Sequence, residues 1–401
     1  MKRDGFVEGS LPWRFLRLIA GNPWHLQTLV RAEHRRRVGI PRERRQRSER
    51  VAPPINISIN LTRRCNLRCA MCIQHRHDTA GSSLTWYDPD RELPVAEWVR
   101  LLDQVARFHP TLYVTGGEPT LHTGFADFIR AAKQRRLFVQ VATNGLSLDR
   151  HAELLVEHGV EVVTVSLDGT AETHDAIRRL PGAFEQTVAG IRALISMRRD
   201  RRRPVPVVGL NFTISAANLA EMATMVPLAA ELGVDFFQFQ HTIFDSAEHV
   251  AQHNRLFNPE FAARRGIDMV GPSVPPGEFY ESGIRPEHLP AIAKALAAAP
   301  RQAAGRLRLS VLPNLPVALL APYYRDLEHP FGGQCEALWK TLRILPDGTV
   351  SPCLHVVAGN IREQSIDGIW NGPTLCHFRS LIATSLLAGC ARCCNRTFCQ
   401  P

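Results

Sequence analysis

The sequence predicts an α/β fold, a partial (β/α)6 TIM-like barrel followed by a small cysteine-rich C-terminal domain, and three observations predict it. Six short apolar runs alternate with helical stretches between residues 55 and 240. They read as continuous in hydrophobicity rather than alternating, the pattern of a parallel sheet covered by helices. Each run ends in polar residues or a motif rich in Gly, Asn or Ser, which places these groups together at the C-terminal ends of the strands, where the reactive groups of such barrels sit. Nine of the ten cysteines bunch toward the two ends of the chain, three within residues 65–72 and six of the seven from residue 335 onward.

Taken in order, residues 11–38 predict two short helices. Asn22 can cap the second, Pro23 suits its first position, and Leu26, Leu29 and Val30 form its apolar stripe. Arg31, Arg35, Arg36 and Arg37 crowd its C-terminal end, where the helix dipole favours cations. This arm reads as a cap packed across the barrel with a solvated basic face. The alternative is a docking arm for an anionic partner or a membrane surface, anchored by Trp13, Phe15 and Trp24. Residues 40–53, rich in Arg, Pro and Glu, read as a linker.

Strands are predicted at 55–60, 111–115, 137–143, 160–166, 205–213 and 234–240, and helices near 94–108, 123–135, 148–158, 182–199 and 217–232. The basic run from Arg198 to Arg203 precedes the fifth strand, at the end opposite the polar motifs, and reads as a solvated loop rather than a substrate clamp. Residues 241–330 break the rhythm. A helix at 286–299 followed by the Pro-rich stretch Leu312–Pro316 predicts an inserted helical connection that helps wall the site. From Cys335 the chain predicts a hairpin turning at Asp347-Gly348, then a helix, with six cysteines in all, while Cys376 stands apart as a small buried hydrophobe. The expected domains are 1–54, 55–245, 246–334 and 335–401.

The formal charge of +10 is local. Residues 1–50 hold thirteen Lys/Arg against five Asp/Glu, and the remainder holds 35 against 33, so the body of the chain is nearly neutral and gives no support to a nucleic-acid partner. No apolar run reaches the length of a signal-peptide core or a membrane span, so a cytoplasmic protein is expected. In a reducing compartment, bunched cysteines read as metal ligands rather than disulfides.

Cys65-x3-Cys69-x2-Cys72 offers three thiolates and no fourth, and an iron–sulfur cube held that way keeps one iron open to an outside ligand. A structural zinc is the alternative, with only His75 and His77 nearby to complete it. With Gly116-Gly117-Glu118-Pro119 after the next strand, the cysteine spacing resembles the radical S-adenosylmethionine superfamily over roughly residues 55–240. That resemblance implies a [4Fe-4S] cluster on Cys65, Cys69 and Cys72, with S-adenosylmethionine chelating the open iron. It implies reductive cleavage to a 5′-deoxyadenosyl radical that takes a hydrogen atom from the substrate.

Carried over to this sequence, the resemblance gives Gly116, Gly117 and Glu118 to the cofactor's amino group and Asn144 to the ribose. It gives Ser166 to the methionine carboxylate with Arg178 as its partner, and Asp168 to a ribose or supporting contact. Asn144-Gly145 as a turn, Asp168 as a helix cap and Arg178 as a surface charge are the structural alternatives. The C-terminal segment resembles the SPASM/twitch extension of the same superfamily, through Cys335-x12-Gly348-x4-Cys353 and Cys390-x2-Cys393-x5-Cys399. The shorter twitch form is expected: one auxiliary [4Fe-4S] cluster on Cys335, Cys353, Cys390 and Cys393, without a second auxiliary cluster, leaving Cys394 and Cys399 over. The implied function is oxidation or rearrangement of a small molecule or natural-product precursor, with the auxiliary cluster taking or relaying an electron. A flavodoxin or ferredoxin is the expected donor. A peptide-modifying maturase is the alternative, and the irregular fifty-residue N-terminus is expected to be too short for a leader-peptide-binding domain.

Overall fold

The computed structural model describes residues 23–46, 48, 50–72, 91–242, 260, 263–264, 268–269, 283–305, 307–326, 329, 335–353 and 356–384. Asn22, Trp13, Phe15, His75, His77 and the four cysteines from Cys390 to Cys399 lie outside them, as do the Trp24 side chain and the first predicted helix.

The six predicted strands are present as β1 (Asn56–Asn60), β2 (Thr111–Thr115), β3 (Phe138–Thr143), β4 (Val162–Ser166), β5 (Val207–Ile214) and β6 (Phe236–His241). They pair in sequence order, all parallel. Between them run α3 (Val95–Val105), α4 (Phe125–Gln134), α5 (Leu148–Glu157), α6 (Ala171–Arg178), α7 (Ala183–Asp200) and α8 (Met222–Glu231). Trp98, Leu101 and Leu102 of α3 and Phe125, Phe128 and Ile129 of α4 bury against Ile57, Ile59, Leu112, Val114 and Val141 of the strands, forming one continuous core.

The strands are not continuous in hydrophobicity. In β1, buried Ile57 and Ile59 alternate with half-buried Asn56, Ser58 and Asn60, and β6 repeats the pattern. Only the helix-covered face is packed throughout. The other face carries a small apolar plug at the strand starts, Phe138, Val162 and Val207 with Phe236 packed on it, and hydroxyl and amide side chains nearer the strand ends.

The sheet extends beyond the six strands at both edges. Residues 241–330, expected as a helical insertion, contain β7 (Asp268–Met269), α9 (Leu289–Ala303), a further parallel strand, β8 (Arg308–Leu312), which pairs with β6, and α10 (Leu320–Arg325). The Pro-rich stretch begins only where β8 ends. At the other edge α11 (Ala337–Lys340) leads into β9 (Thr341–Ile344), which pairs in parallel with β1, and β10 (Thr349–Val350) turns back on it across Asp347-Gly348. With β12 (Gly359–Asn360), the sheet has ten strands in the order β12-β10-β9-β1-β2-β3-β4-β5-β6-β8, while β11 (Val356–Val357) pairs antiparallel with β7. The chain continues through α12 (Ile366–Trp370) and α13 (Pro373–Thr384).

The arm differs from expectation in two ways. Residues 40–46 of the expected linker form α2 (Ile40–Gln46), whose Glu43 accepts from Arg35 Nη2 at 2.8 Å and from the Ala52 amide at 2.9 Å. Among the described side chains of α1 (Pro23–His34) the buried residues are His25 and Thr28, while Leu26 and Val30 are 45 % and 57 % exposed. A charge partner decides the matter: His25 Nε2 lies 2.6 Å from buried Glu161 Oε1, which also meets Lys133, and the imidazole packs edge-on against Phe138. The run Arg198–Arg203 is likewise no simple loop, since Arg198 belongs to α7 and is buried in an ion pair with Asp235. Among the described residues, no helix is long and apolar enough to cross a membrane.

Candidate active site

The cysteine loop is clasped to the end of β2. Beyond the β1–β2 ladder, Leu61 N donates to Thr115 O, Gly117 N to Thr62 O and Glu118 N to Arg64 O, each at 2.8 Å. Gly116 sits at φ +147°, where a side chain is strained. A Cβ there would collide with the Thr62 carbonyl oxygen, and one on Gly117 with those of Arg63 and Arg64. The two glycines are thus required by the approach of the backbone that carries the cysteines.

Within the loop, Cys72 N donates to Cys69 O at 3.1 Å and Ala70 N to Ile177 O at 2.9 Å. Leu67 and Cys69 bury with Leu146 and Ala183, and half-buried Cys65 and Cys72 pack against them. Burial pushes the Cys65 thiol up to about 11. It raises Cys69 as well, although Arg178 pulls the other way. Thiols so buried become good ligands once a cation takes the place of the proton. Among the described residues, no three His, Cys, Asp or Glu side chains are grouped to hold a single metal ion. A cube, which gives each thiolate its own iron, makes no such demand, so the donor set fits an iron–sulfur cluster.

Glu118 is fully buried and turned toward β3. Its Oε1 accepts from Thr120 Oγ1 at 2.7 Å and Thr143 Oγ1 at 2.8 Å, and its Oε2 from Asn144 N at 2.7 Å. Burial raises its pKa, with these hydrogen bonds opposing. Asn144 donates from Nδ2 to Asn66 Oδ1 at 2.8 Å and accepts from Leu146 N at 3.0 Å, so it shapes a turn and ties it to the cysteine loop. Asp168 is fully buried, accepts from Thr213 N at 2.9 Å and pairs with Arg178 Nη2. Arg178, at the C-terminal end of α6, donates from Nη1 to Cys69 Sγ at 3.6 Å. Burial works against its charge, but Asp168 and Cys69 outweigh it and hold its pKa above the ordinary value.

The structure therefore joins Cys69, Arg178 and Asp168 on one side of the loop, and Asn66, Asn144 and Glu118 on another. Ser166 is half-buried at the end of β4, in register with Asn211 of β5, Gln238 of β6 and Ser310 of β8. Within this row Gln238 donates to Asn211 Oδ1 at 2.7 Å, and Ser310 donates to Gln238 Oε1 at 3.4 Å. Sequence reasoning missed Asn66, although it stands inside the cysteine motif, and Ser310, whose strand it did not find. In the C-terminal part, half-buried Cys335 and Cys353 pack on the main core, while their expected co-ligands Cys390 and Cys393 lie outside the described residues.

Two family models match the chain: the radical SAM superfamily over residues 59–223, and an iron–sulfur cluster-binding domain, SPASM, over residues 335–394. The pre-heme d1 synthase of Dinoroseobacter shibae is 32% identical over 227 residues, covering 56% of this chain and 52% of that protein. The AdoMet-dependent heme synthase of Methanosarcina barkeri is 38% identical over 183 residues, covering 45% and 48% respectively. The chain thus spans about half the length of these curated relatives. Among solved structures, Streptococcus suis SuiB bound to its precursor peptide SuiA superposes with a TM-score of 0.58 at 14% identity, covering 94% of this chain and 74% of that one. That likeness is one of fold.

Proposed function

The chain belongs to the radical SAM superfamily, with a SPASM iron–sulfur domain at its C-terminal side, and from that premise we propose that it abstracts a hydrogen atom from a small-molecule substrate in a net oxidation or rearrangement. One observation carries the reading: three buried or half-buried thiols with no fourth ligand among the described residues, held by a glycine-clasped loop at the polar ends of the strands. Cys65, Cys69 and Cys72 would hold the cluster, and Cys335 and Cys353, with Cys390 and Cys393, one auxiliary cluster. When bound, the cluster and S-adenosylmethionine supply a hydrogen-abstracting species that no side chain can provide.

The residues of the chain do the rest. The Gly116-Gly117 backbone and Ser166 would border the cofactor, while Glu118 acts from behind by fixing Thr120, Thr143 and the Asn144 amide. Asn144 would present the turn beside the ribose. The row Asn211, Gln238 and Ser310 supplies amide and hydroxyl groups with which a polar substrate can be oriented, and orientation is the contribution a protein makes to such a reaction. The names of both curated relatives speak of haem-type tetrapyrroles, which supports a porphyrin-class substrate.

The test is anaerobic reconstitution followed by reduction with dithionite or a flavodoxin. Two clusters' worth of iron and sulfide, and 5′-deoxyadenosine carrying deuterium from a labelled iron porphyrin, are the expected results. Deuterium arriving only from a peptide would move the assignment to a maturase, and failure to form 5′-deoxyadenosine would overturn it.

A further inference from the structure

Arg178 is the cationic side chain that the fold brings into hydrogen-bond contact with Cys69. The residue is 8 % exposed, and its Nε has no hydrogen-bond partner among the described residues. Its direction is set from outside: Nη2 meets Asp168 Oδ2, leaving Nη1 against Cys69 Sγ at 3.6 Å. Asp168 is in turn fixed by three elements. Its Oδ1 accepts from Thr213 N of β5, its backbone N donates to His174 Nδ1 of α6 at 3.1 Å, and its backbone O accepts from Asn218 Nδ2 at 3.0 Å.

A buried ion pair serving only to close the fold has no need of a sulfur. The Arg198–Asp235 pair shows the alternative, for there the guanidinium donates to the carboxylate and to the Pro206 carbonyl oxygen at 2.6 Å. Toward a thiolate that ligates iron, an N–H donor and a positive charge both favour the state with one electron more. The potential of such a cluster follows its net charge, the hydrogen bonds to its sulfurs and its exposure.

We infer that Arg178 and Asp168 are a positioning pair that sets the reduction potential of the cluster on Cys65, Cys69 and Cys72: Arg178 stabilises the reduced form through Cys69, while Asp168 aims the guanidinium and offsets its charge. The inference rests on the reading that these cysteines hold a cluster. It makes the two side chains opposed in sign. Removing Arg178 leaves a buried carboxylate near the sulfur and lowers the potential; removing the Asp168 charge leaves the guanidinium uncompensated and raises it.

The test is a potentiometric titration followed by EPR on the full chain with both clusters loaded, comparing wild type, Arg178→Gln, Arg178→Lys, Asp168→Asn and the double variant Asp168→Asn/Arg178→Gln. Arg178→Gln should make the cluster at least tenfold harder to reduce, about 59 mV for a one-electron couple. Asp168→Asn should move it the opposite way, the double variant should fall between the two, and Arg178→Lys should lower the potential less than Arg178→Gln. The auxiliary cluster should keep its potential in all of them. Arg178→Gln and Asp168→Asn shifting in the same direction, or shifting no more than the auxiliary cluster does, would overturn the inference, as would loss of this cluster from all four variants, which marks a purely structural pair. Absence of iron from Cys65, Cys69 and Cys72 in the wild type would instead overturn the underlying reading.

Discussion

At the N-terminal ends of the strands, Glu161 and Asp235 are each buried against cations of the chain, and every group involved is turned to holding helices in place. Glu161 gathers Lys133, His25 and the Val139 amide, pinning α1 and α4 beneath β3 and β4. Asp235 gathers Arg198 and the Val208 amide, pinning α7 beneath β5. At the C-terminal ends the same currency is used differently. Among the described residues Glu118 is buried with no cation, satisfied by neutral donors, and Asp168 has a cation that reaches past it to a cysteine sulfur. The floor of the barrel closes its charges into structure, whereas the mouth keeps a donor aimed at the cysteine loop.

The sharpest way to separate the two ends is to strip the mouth of its thiols. Changing Cys65, Cys69 and Cys72 to alanine should abolish 5′-deoxyadenosine formation while roughly half the iron, that of the auxiliary cluster, stays bound. Iron analysis with a cleavage assay checks both outcomes together, and retention of all the iron would break the assignment of the mouth. Next in size is Gly117→Ala. Its Cβ would collide with the backbone of Arg63 and Arg64, so the loop must move. Most of the iron at the first site should be lost, while far-ultraviolet circular dichroism stays unchanged. A variant that loads iron normally would show that the clasp is dispensable.

The floor should answer in stability rather than chemistry. Glu161→Gln leaves Lys133 and His25 buried without their carboxylate, and breaking such a pair costs about 3 to 5 kcal/mol. Urea unfolding should register that loss, while the rate of S-adenosylmethionine cleavage per loaded cluster, measured below the transition, stays within about twofold of wild type. A large fall in that rate would mean that the two ends are not separable.

The parts legible in the sequence were those whose signal is local. Short apolar runs, glycine at the turn of a clasp and cysteines three or four residues apart can each be read from a few neighbouring residues. What escaped depends on partners distant in the chain. Leu26 and Val30 have helical spacing, yet His25 faces inward because Glu161 waits 136 residues away. The richness of residues 40–53 in Arg, Pro and Glu suggested a linker, but capture of Arg35 and the Ala52 amide by Glu43 makes 40–46 a docked helix. The strand Arg308–Leu312 has a single buried residue, Val311, and becomes a strand because β6 offers it an edge. The pairing of Arg178 with Asp168 also escaped, because nothing in residues 168–178 announces that the two ends of that segment meet.

A gentler probe of the mouth is His241, the last residue of β6. It is fully buried, its Nδ1 lies 2.6 Å from Tyr324 Oη, its Nε2 has no hydrogen-bond partner among the described residues, and the rings of Tyr323 and Tyr324 flank it. Burial pushes its pKa down from 6.5 to about 3. The folded form therefore keeps the imidazole neutral over a range in which the unfolded chain takes up a proton. Above pH 6.5 both states are neutral and there is no penalty; as the pH falls from 6.5 toward 3, stability is lost. The linkage amounts to roughly 2 kcal/mol between pH 7 and pH 5. Against His241→Gln, which cannot take up that proton, wild-type protein should lose about that much more stability over the same interval in urea titrations. Parallel pH profiles for the two proteins would mean that the imidazole is protonated in the folded mouth, and that the mouth, unlike the floor, tolerates a buried cation without a carboxylate.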